Sequence, residues 1–222
     1  MNGYRFRDRE EAARLLVGRL ARYRGERPLV LGVPRGGVPM AAIIADALEG
    51  DLDVVLVHKL GAPGQPELAI GAVDEAGHLT LEGRAEDLGF DVETLERERM
   101  AEWRLLLRRR ERYTPARRQV DPEGRTVIVV DDGVATGATL AAALRLLRAK
   151  KPLRLVAAAA VAPPDAARAL EREADEIVLL ETPAHFMAVG VYFENFRQVT
   201  DEEVIGLLKA ATPSSRRRGP PS

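Results

Sequence analysis

The sequence predicts an α/β fold in which a mostly parallel central sheet is flanked by helices. Short apolar runs, typical of buried strands, alternate along the chain with segments of helical periodicity. Two Gly-rich loops directly follow such runs and lead into helices, as loops at the carboxyl ends of parallel strands do. A length of 222 residues, 46% of them hydrophobic and 30% charged, is enough for a packed core and excludes a disordered chain.

The first half of the chain alternates helices with short apolar runs. An amphipathic stripe that includes Leu15, Leu16 and Arg19 predicts the opening helix, and proline and glycines close the first apolar run. An acidic turn that contains glycine separates two later runs and predicts a hairpin. The predicted elements are helices at 8–23 and 38–48, strands at 29–33 and 52–58, and a hairpin formed by 69–73 and 78–81.

The second half repeats the alternation after a charged segment. One long helix is predicted over 91–112, with Val92, Leu95, Arg99, Trp103 and Leu106 on one face. The strongest strand pattern of the chain comes next, and a proline begins the following short helix. The predicted elements are strands at 125–132, 153–162 and 176–181 and helices at 140–149, 164–173 and 201–210.

Composition excludes several classes of protein. The chain has no cysteine, which excludes disulfides, Cys-ligated metals and thiol nucleophiles. It has three histidines, which argues against a metal site made of several histidines. A formal charge of −1 argues against a polycation that coats nucleic acid, so we expect no nucleic-acid partner for the chain as a whole. No apolar run approaches the roughly 18 residues of a membrane span, and the N-terminal residues lack an apolar signal core. We therefore expect a cytoplasmic protein without a membrane partner.

The most informative segment is VIVVDDGVATGAT at residues 127–139. Four β-branched residues lead into the carboxylates Asp131 and Asp132, and a Gly/Thr-rich loop then opens a helix. Backbone N–H groups at a helix start can hold a phosphate, while adjacent carboxylates suit the hydroxyls of a ribose or a shared Mg²⁺. The alternative interpretation is an ordinary strand end followed by a turn, which uses the same residue types. That interpretation does not explain why two acids and a phosphate-binding loop occur together in this segment. The spacing is neither that of a Walker A loop nor that of a dinucleotide-binding fingerprint.

This segment resembles the signature of type I phosphoribosyltransferases that binds 5-phosphoribosyl 1-pyrophosphate (PRPP). The resemblance covers roughly residues 26–82 and 125–200. It implies a type I phosphoribosyltransferase-like fold with a hood region and a helical insertion. The expected organisation is a single domain over 1–212, with the insertion at 84–124 and the hood at 182–200, and a disordered tail at 213–222.

The resemblance also implies roles for the residues of the signature. Asp131 and Asp132 are expected to contact the ribose hydroxyls of PRPP as catalytic carboxylates, and to hold Mg²⁺ mostly through PRPP and water. A homodimer is common in the family and is expected here. The 5′-phosphate is expected on the loop made of Gly133, Val134, Ala135, Thr136, Gly137, Ala138 and Thr139.

A second Gly-rich loop, GVPRGGVP at residues 32–39, follows the first predicted strand. Gly36 and Gly37 expose backbone amides, and Arg35 can bind phosphate oxygens with two parallel hydrogen bonds. A structural turn with a solvated arginine is the alternative from the residues alone. Beside the PRPP signature, the loop resembles the pyrophosphate loop of the family, which implies pyrophosphate binding by residues 34–37 and a catalytic part for Arg35. A cis peptide between Pro34 and Arg35 is expected, and such a bond marks a functional site.

His58 and Lys59 end the predicted strand at 52–58. The resemblance implies that Lys59 binds pyrophosphate and takes part in catalysis, while a solvated lysine at a strand end is the alternative. His58 is more typical of a structural histidine. The Gly/Pro-rich stretch 61–66 is expected to belong to a mobile loop that closes such sites. It lacks a clear match to the Lys/His-bearing loop of orotate enzymes.

The acceptor side is expected in HFMAVGVYFENF at residues 185–196, which resembles the hood of purine phosphoribosyltransferases. The alternative is that these aromatic residues belong to the core. Ala135 stands where hypoxanthine and guanine enzymes carry an Asp, whereas adenine enzymes often have Ala there. That difference favours an adenine-like or non-purine acceptor. The residues expected to frame the base are Phe186, Tyr192, Phe193 and Glu194.

The insertion contains a basic stretch, RLLLRRRERYTPARR at residues 104–118, with seven arginines. Three interpretations remain open: binding of nucleic acid, a lid or subunit contact near the anionic site, and a solvated helix face balanced by glutamates. Tyr113 and Trp103 are too few for a platform on which bases stack.

Two functions follow from these observations. The first is a Mg²⁺-dependent phosphoribosyltransferase that transfers the 5-phosphoribosyl group of PRPP to a nitrogen acceptor, a nucleobase, and releases pyrophosphate. Its partners are PRPP and the small nitrogenous acceptor. The alternative is a regulatory protein that senses PRPP without turnover and binds nucleic acid through the basic insertion, because fold does not fix function.

Overall fold

The computed structural model describes residues 5–62, 65–81, 89, 91–116 and 119–211. The described strands are β1 (Leu29–Gly32), β2 (Asp51–Val54), β3 (Val57–Ala62), β4 (Gln65–Asp74), β5 (Leu79–Leu81), β6 (Thr126–Asp131), β7 (Arg154–Val161) and β8 (Glu176–Glu181). The described α-helices are α1 (Arg9–Arg19), α2 (Gly37–Ala47), α3 (Val92–Tyr113), α4 (Ala138–Ala149), α5 (Pro164–Leu170) and α6 (Asp201–Ala210). Short 3₁₀ helices cover Ala21–Tyr23 and Val189–Tyr192.

Five strands form the central sheet in the order β2-β1-β6-β7-β8, and every neighbouring pair is parallel. Alternate residues of each strand enter different cores, because successive side chains point to opposite faces. Val30 and Ile128 pack in one core with α1, α2 and α6, whereas Leu29 and Val127 pack in the other with α4 and α5. The predicted α/β fold with a mostly parallel sheet is confirmed, and burial on both faces explains the continuous apolar runs.

The strand predicted at 52–58 is wrong as a single element. β2 ends at Val54 and β3 begins at Val57, and the two strands belong to different sheets. Val55 and Leu56, which connect them, are buried as fully as the strands themselves. Hydrophobicity therefore stays constant where the chain passes from one sheet to the other, and the pattern gives no sign of the break.

The second sheet has the order β3-β4-β5 and is antiparallel throughout. The predicted hairpin is confirmed as β4 and β5, and β3 extends it by a third strand. Gly61 and Ala62 end β3, and β4 begins at Gln65, so the loop predicted at 61–66 is largely strand. Residues 63 and 64, at the centre of that prediction, lie outside the described residues, as do the predicted tail at 213–222 and most of 82–90.

Helix α3 of the insertion packs against β3 and β4 and reaches α6, while α4 packs against the same two strands. The burial of individual α3 residues corrects part of the apolar face predicted for this helix. Leu106 is buried, but Val92 is 83% exposed because it begins the helix outside the contact with the hairpin. In α1, Leu15 is 43% exposed and Arg19 is also exposed. The predicted stripe is confirmed at Leu16, and the residues buried beside it are Ala12, Ala13 and Leu20.

Side-chain caps fix the start of three helices. Asp8 accepts a hydrogen bond from the Glu11 amide at the start of α1, and Asp91 accepts one from the Thr94 amide at the start of α3. Thr200 and Glu203 form a reciprocal capping box at the start of α6. None of the helices in the described part of the chain combines the length and apolar character needed to cross a membrane.

Candidate active site

Two neighbouring central strands bring the two Gly-rich loops together. β1 lies between β2 and β6, with Gly32 in register with both Val54 and Val130. The Val33 amide donates a hydrogen bond of 2.9 Å to the carbonyl of Val130 and extends this pairing into the loop. The loop after β1 and the loop after β6 therefore leave the carboxyl edge of the sheet side by side, which is the edge where α/β proteins bind ligands.

The loop after β1 requires glycine at two positions because it lies against the strand β6. A Cβ at Gly36 would overlap the carboxylate of Asp132, and one at Gly37 would overlap the carbonyl oxygen of Val130. The peptide between Pro34 and Arg35 is cis, as the sequence predicted. Gly36 thus lies directly against one of the two predicted ribose acids, so the predicted pyrophosphate and ribose sites adjoin.

Asp131 ends β6 and Asp132 follows it directly, and both carboxyls lie in a buried environment. The Asp132 amide donates a 2.8 Å hydrogen bond to Oδ1 of Asp131. Burial, together with the negative charge of Asp132, raises the pKa of Asp131 well above its usual value. Burial also raises the pKa of Asp132, against the opposing effect of the Arg9 guanidinium. The pair can therefore hold a proton more readily than exposed carboxyls and can both accept and donate hydrogen bonds.

Arg9, at the start of α1, is a site residue that the sequence analysis did not single out. Its Nε and Nη2 lie 2.8 Å and 2.7 Å from Oδ2 of Asp132, and its Nη1 donates to the carbonyl of Arg197 at 2.8 Å. The guanidinium also lies 3.9 Å from the centre of the Phe196 ring. A signal was present, because Arg9 precedes Ala12, Ala13 and Leu16 on the buried stripe, where a charged residue needs a partner.

The predicted phosphate loop has the conformation of a helix start. Gly137 caps α4 with a φ of +89°, a value that L-residues other than glycine rarely adopt. Ala135 and Thr136 are exposed, whereas Val134 is buried and its amide donates to the carbonyl of Val161 at 2.8 Å. A groove of about 240 Å³ borders Thr136, Gly137 and Ala138, and the side chains of Arg145 and Arg172 line it as well. Exposed backbone at a helix start beside two arginines suits an anion.

Lys59 and His58 lie on opposite faces of β3. Lys59 pairs with Ala72 in the hairpin and shares the face of Val57, whose contacts belong to the core around α4. The side chain of Lys59 therefore lies on the same side of the hairpin as the helix that begins at the phosphate loop. The Nδ1 atom of His58 lies 2.5 Å from Oε2 of Glu102 in α3, so His58 faces the insertion.

The predicted acceptor residues divide into buried and exposed positions. Phe193 is 1% exposed, and its ring packs between those of Phe6 and Phe196. Tyr192 is also buried, and Phe186 stacks on it with ring centres 5.7 Å apart. Glu194 is exposed. The burial of Phe193 favours the core role that the sequence left open for this ring, while Glu194 remains accessible to a ligand.

The described histidines and acids form no cluster of three or more that could hold a metal ion. Asp131 and Asp132 provide a pair of hard oxygen donors. Such a pair fits Mg²⁺, which proteins often bind through one or two carboxylates while substrate phosphates and water complete its coordination. The donor set thus fits a metal ion that arrives with a phosphorylated ligand.

Comparison with known proteins agrees with this geometry. A family model described as "Phosphoribosyl transferase domain" matches residues 8–194. A protein of Mycobacterium tuberculosis named as a phosphoribosyl transferase is 43% identical over 210 residues, which cover 93% of this chain and 47% of that protein. The chain therefore spans about half the length of this curated relative. An adenine phosphoribosyltransferase of Mycobacterium avium is 31% identical over 133 residues, covering 60% of this chain and 55% of that protein.

A solved structure shares the fold across nearly the whole chain. The crystal structure of TT1426 from Thermus thermophilus is 48% identical in sequence. It superposes with a TM-score of 0.81, covering 92% of this chain and 98% of that one. The matched family model spans both Gly-rich loops, the acid pair and most of the hood, and the predicted resemblance is confirmed. The chain belongs to the phosphoribosyl transferase domain family.

Proposed function

We propose that this phosphoribosyltransferase uses PRPP with Mg²⁺, transfers its 5-phosphoribosyl group to a nitrogen acceptor and releases pyrophosphate. One observation carries the proposal: Gly36 of the predicted pyrophosphate loop lies directly against Asp132 of the predicted ribose pair. A ligand with a phosphate on each side of a ribose matches the order of sites along this edge. Residues 34–37 lie at one end, the acids in the middle and residues 133–139 at the other.

Each group has a distinct role in this proposal. The Thr hydroxyls and the backbone amides of residues 133–139 bind the 5′-phosphate, except the Val134 amide, which donates to the carbonyl of Val161. Asp131 and Asp132 bind the ribose hydroxyls, and Arg35, the amide of Gly36 and Lys59 bind the pyrophosphate. The Gly37 amide, which the sequence also suggested as a donor, already donates to the carbonyl of Val33 at 3.0 Å. The acceptor nitrogen attacks C1 of the ribose, the bond from C1 to the pyrophosphate oxygen breaks, and pyrophosphate leaves with the electron pair. The carboxylates stabilise the positive charge that develops on the ribose.

Asp131 and Asp132 would hold Mg²⁺ together with PRPP oxygens and water. When bound, the ion neutralises charge on the departing pyrophosphate. The proposal does not require a metal cage made by the protein alone.

For the acceptor we propose a nucleobase. Ala135 is exposed in the phosphate loop, and it stands where hypoxanthine and guanine enzymes carry an acidic residue. The relative from Mycobacterium avium is named an adenine phosphoribosyltransferase, which supports an adenine-like base. Glu194, exposed in the hood, is the residue we propose to hydrogen-bond an exocyclic amine.

The test is release of pyrophosphate from PRPP with Mg²⁺, across purines, pyrimidines and small amines. We expect release with one acceptor, and a decrease in kcat/KM of about a hundredfold or more in Asp132→Asn, because that carboxylate acts on the developing charge. Asp165→Asn is the matched control, since its side chain is 92% exposed on α5. Full turnover in Asp132→Asn would contradict the assignment. If the protein binds PRPP but releases no pyrophosphate with any acceptor of the panel, the result would favour the alternative function, a regulatory protein that senses PRPP.

A further inference from the structure

The antiparallel sheet β3-β4-β5 carries Lys59 but is separate from the central sheet. In the described part of the chain, its three strands pair only with one another. Packing therefore holds this sheet in place: α4 lies against β3 and β4, and so does α3 of the insertion. Val57 and Ala72 lie in the core around α4, whereas Leu60 and Val73 lie in the core that also contains Leu106 of α3. The two helices thus cover opposite faces of the antiparallel sheet.

The face that carries Lys59 borders the candidate site. Lys59 pairs with Ala72 of β4, and directly opposed residues of paired strands point to the same face. Ala72 lines the groove at residues 136–138 of the phosphate loop. Just before β3, the Val55 amide donates to the carbonyl of Gly32, at the end of β1, at 3.2 Å. The position of the antiparallel sheet therefore sets the distance of Lys59 from the two Gly-rich loops.

The insertion holds this sheet at the turn between β4 and β5. Trp103 Nε1 donates to the carbonyl of Glu75 at 3.1 Å, and Arg99 donates to the carbonyl of Gly77. Arg110 Nε donates to Oε2 of Glu75 at 2.8 Å. Arg99, Trp103 and Arg110 are four and seven positions apart, so they project from one side of α3. One side of the insertion helix is thus matched to the polar groups of a single turn.

The turn also fits the Trp103 side chain in shape. Gly77 has a φ of +83°, a value that favours glycine. A Cβ on Gly77 would lie 3.1 Å from Cε2 of Trp103 and 3.2 Å from Nη1 of Arg99. Trp103 is half-buried and packs against the core that includes Leu106. The backbone of the turn therefore lies directly against the indole ring and the guanidinium.

Only a short length of strand separates this turn from Lys59. Asp74, the last residue of β4, pairs with Val57, which lies two residues before Lys59, or about 7 Å along β3. His58, between them, faces the insertion, and its Nδ1 lies 2.5 Å from Oε2 of Glu102. Because β3 and β4 are paired over this length, a shift of the turn on α3 moves Lys59 as well.

We propose that Trp103 is a positioning residue: it holds the turn between β4 and β5 and thereby places Lys59 for the pyrophosphate of PRPP. The insertion then braces the antiparallel sheet on the face away from the substrate. Small displacements matter in such a site, because a shift of about 1 Å can reduce a rate by about a hundredfold. This inference rests on the proposed function, in which Lys59 binds pyrophosphate.

A double-mutant cycle tests whether Trp103 acts through Lys59. Isothermal titration calorimetry with Mg²⁺ measures the binding of pyrophosphate and, separately, of ribose 5-phosphate. Trp103→Ala and Lys59→Met should each bind pyrophosphate about tenfold more weakly, as expected for loss of a hydrogen bond to a charged group. The double variant should bind it no more weakly than Lys59→Met alone. Ribose 5-phosphate should bind all variants with unchanged affinity, because residues 133–139 hold its phosphate.

A milder variant and a control complete the experiment. Trp103→Phe retains an aromatic ring at this position but loses the N–H group, so it tests the same claim if Trp103→Ala fails to fold. We expect about threefold weaker binding of pyrophosphate, and no further loss in the Lys59→Met background. Leu105→Ala is the matched control, because Leu105 is an apolar residue of the same helix that is 47% exposed. It should bind pyrophosphate like the wild type.

The outcomes separate the inference from the proposed function. Additive losses in the cycle, or equal loss of both ligands in the Trp103 variants, would overturn the inference, because Trp103 would then act independently of Lys59. Unchanged pyrophosphate affinity in the Trp103 variants or in Lys59→Met would also overturn it, while binding of PRPP by the wild type would still support the proposed function. If the wild type binds neither PRPP nor pyrophosphate, the proposed function is wrong, and so is the inference.

Discussion

The contact between Arg9 and Asp132 determines the charge at the centre of the candidate site. A carboxylate buried at a strand end would hold its proton strongly, and the two nitrogens of Arg9 near Oδ2 oppose that tendency. Asp131 has no such cationic partner among the described residues, and burial together with Asp132 raises its pKa further. The two neighbouring acids therefore differ in environment, because Arg9 of α1 opposes the effect of burial at Asp132.

Removal of that arginine should change the dependence of activity on pH. In Arg9→Met, the pKa of Asp132 rises above its wild-type value because the opposing charge is gone. If Asp132 acts ionised, the acidic limb of kcat/KM against pH moves to higher pH in the variant. Arg14→Met is the control, since Arg14 is an exposed arginine of α1 that pairs with Glu10 of the same helix. An unchanged acidic limb in Arg9→Met would show that Asp132 does not titrate in the rate-limiting binding or chemical step.

At the scale of the element, α3 is held at the turn between β4 and β5 and at α6 by polar contacts as well as by packing. Arg99 donates to the carbonyl of Gly77, and Trp103 Nε1 donates to the carbonyl of Glu75 at 3.1 Å. Near its C-terminus, the buried hydroxyl of Tyr113 donates to Asp201 at 2.7 Å. Exposed pairs such as Arg97 with Glu93 fit the solvated-face interpretation, but only on the outer side of the helix.

The Tyr113 contact should make the stability of α3 depend on pH. Tyr113→Phe should lower the free energy of unfolding by about 2 kcal/mol at pH 7, because the hydroxyl bonds a charged group. The folded pKa of Asp201 is lowered, so its contribution is complete above the unfolded value near 3.9 and is lost as pH falls through the folded value. The penalty should therefore shrink at acidic pH.

Urea unfolding at neutral and acidic pH measures this effect. Tyr192→Phe is the matched control, since the hydroxyl of Tyr192 donates to the neutral carbonyl of His185 at 3.2 Å. Tyr192→Phe should lower the free energy of unfolding by about 1 kcal/mol, nearly independently of pH. Equal pH dependence in the two variants would argue against the charged contact as the cause.

At the scale of the whole molecule, the first described residues close the hood. Phe6 forms a parallel bridge with Phe193, and its amide donates to the carbonyl of Tyr192 at 2.8 Å. The Glu194 amide donates back to the carbonyl of Phe6 at 2.8 Å. The ring of Phe6 is 1% exposed and lies 5.4 Å from that of Phe193. Residues far apart in the sequence thus pack together in the core beneath the predicted hood.

Truncation of Phe6 should therefore lower the stability of the protein and raise KM for the acceptor. Phe6→Ala should lower the free energy of unfolding by about 3–5 kcal/mol, as for other fully buried phenylalanines. Below the unfolding temperature, KM for the acceptor should rise while the affinity for ribose 5-phosphate stays close to that of wild type. Phe6→Leu, which keeps most of the volume, should lose much less stability. A rise in the dissociation constant for ribose 5-phosphate as large as that in KM for the acceptor would contradict a role confined to the hood.

The sequence predicted those features that depend on local chemistry. The apolar runs of β1 and β6 and the glycines after them follow from burial on both faces and from close backbone approach. Features that depend on distant parts of the chain were missed. The junction of β2 and β3 is apolar throughout, and the partner of Arg9 lies 123 positions away. The docking of α3 against the hairpin and α6 was missed as well, because the periodicity of a charged helix does not determine where the helix packs.

The position of Arg9 has a thermodynamic consequence for the hood. The same guanidinium contacts Asp132, the face of Phe196 and the carbonyl of Arg197. A sugar hydroxyl that binds Oδ2 of Asp132 competes with Arg9 for that oxygen and changes how firmly the arginine holds residues 196 and 197. Coupling free energies are reciprocal, so a base that reorders the hood alters the affinity for the sugar by the same factor. On the proposed function, one arginine thereby links the energetics of the two substrates.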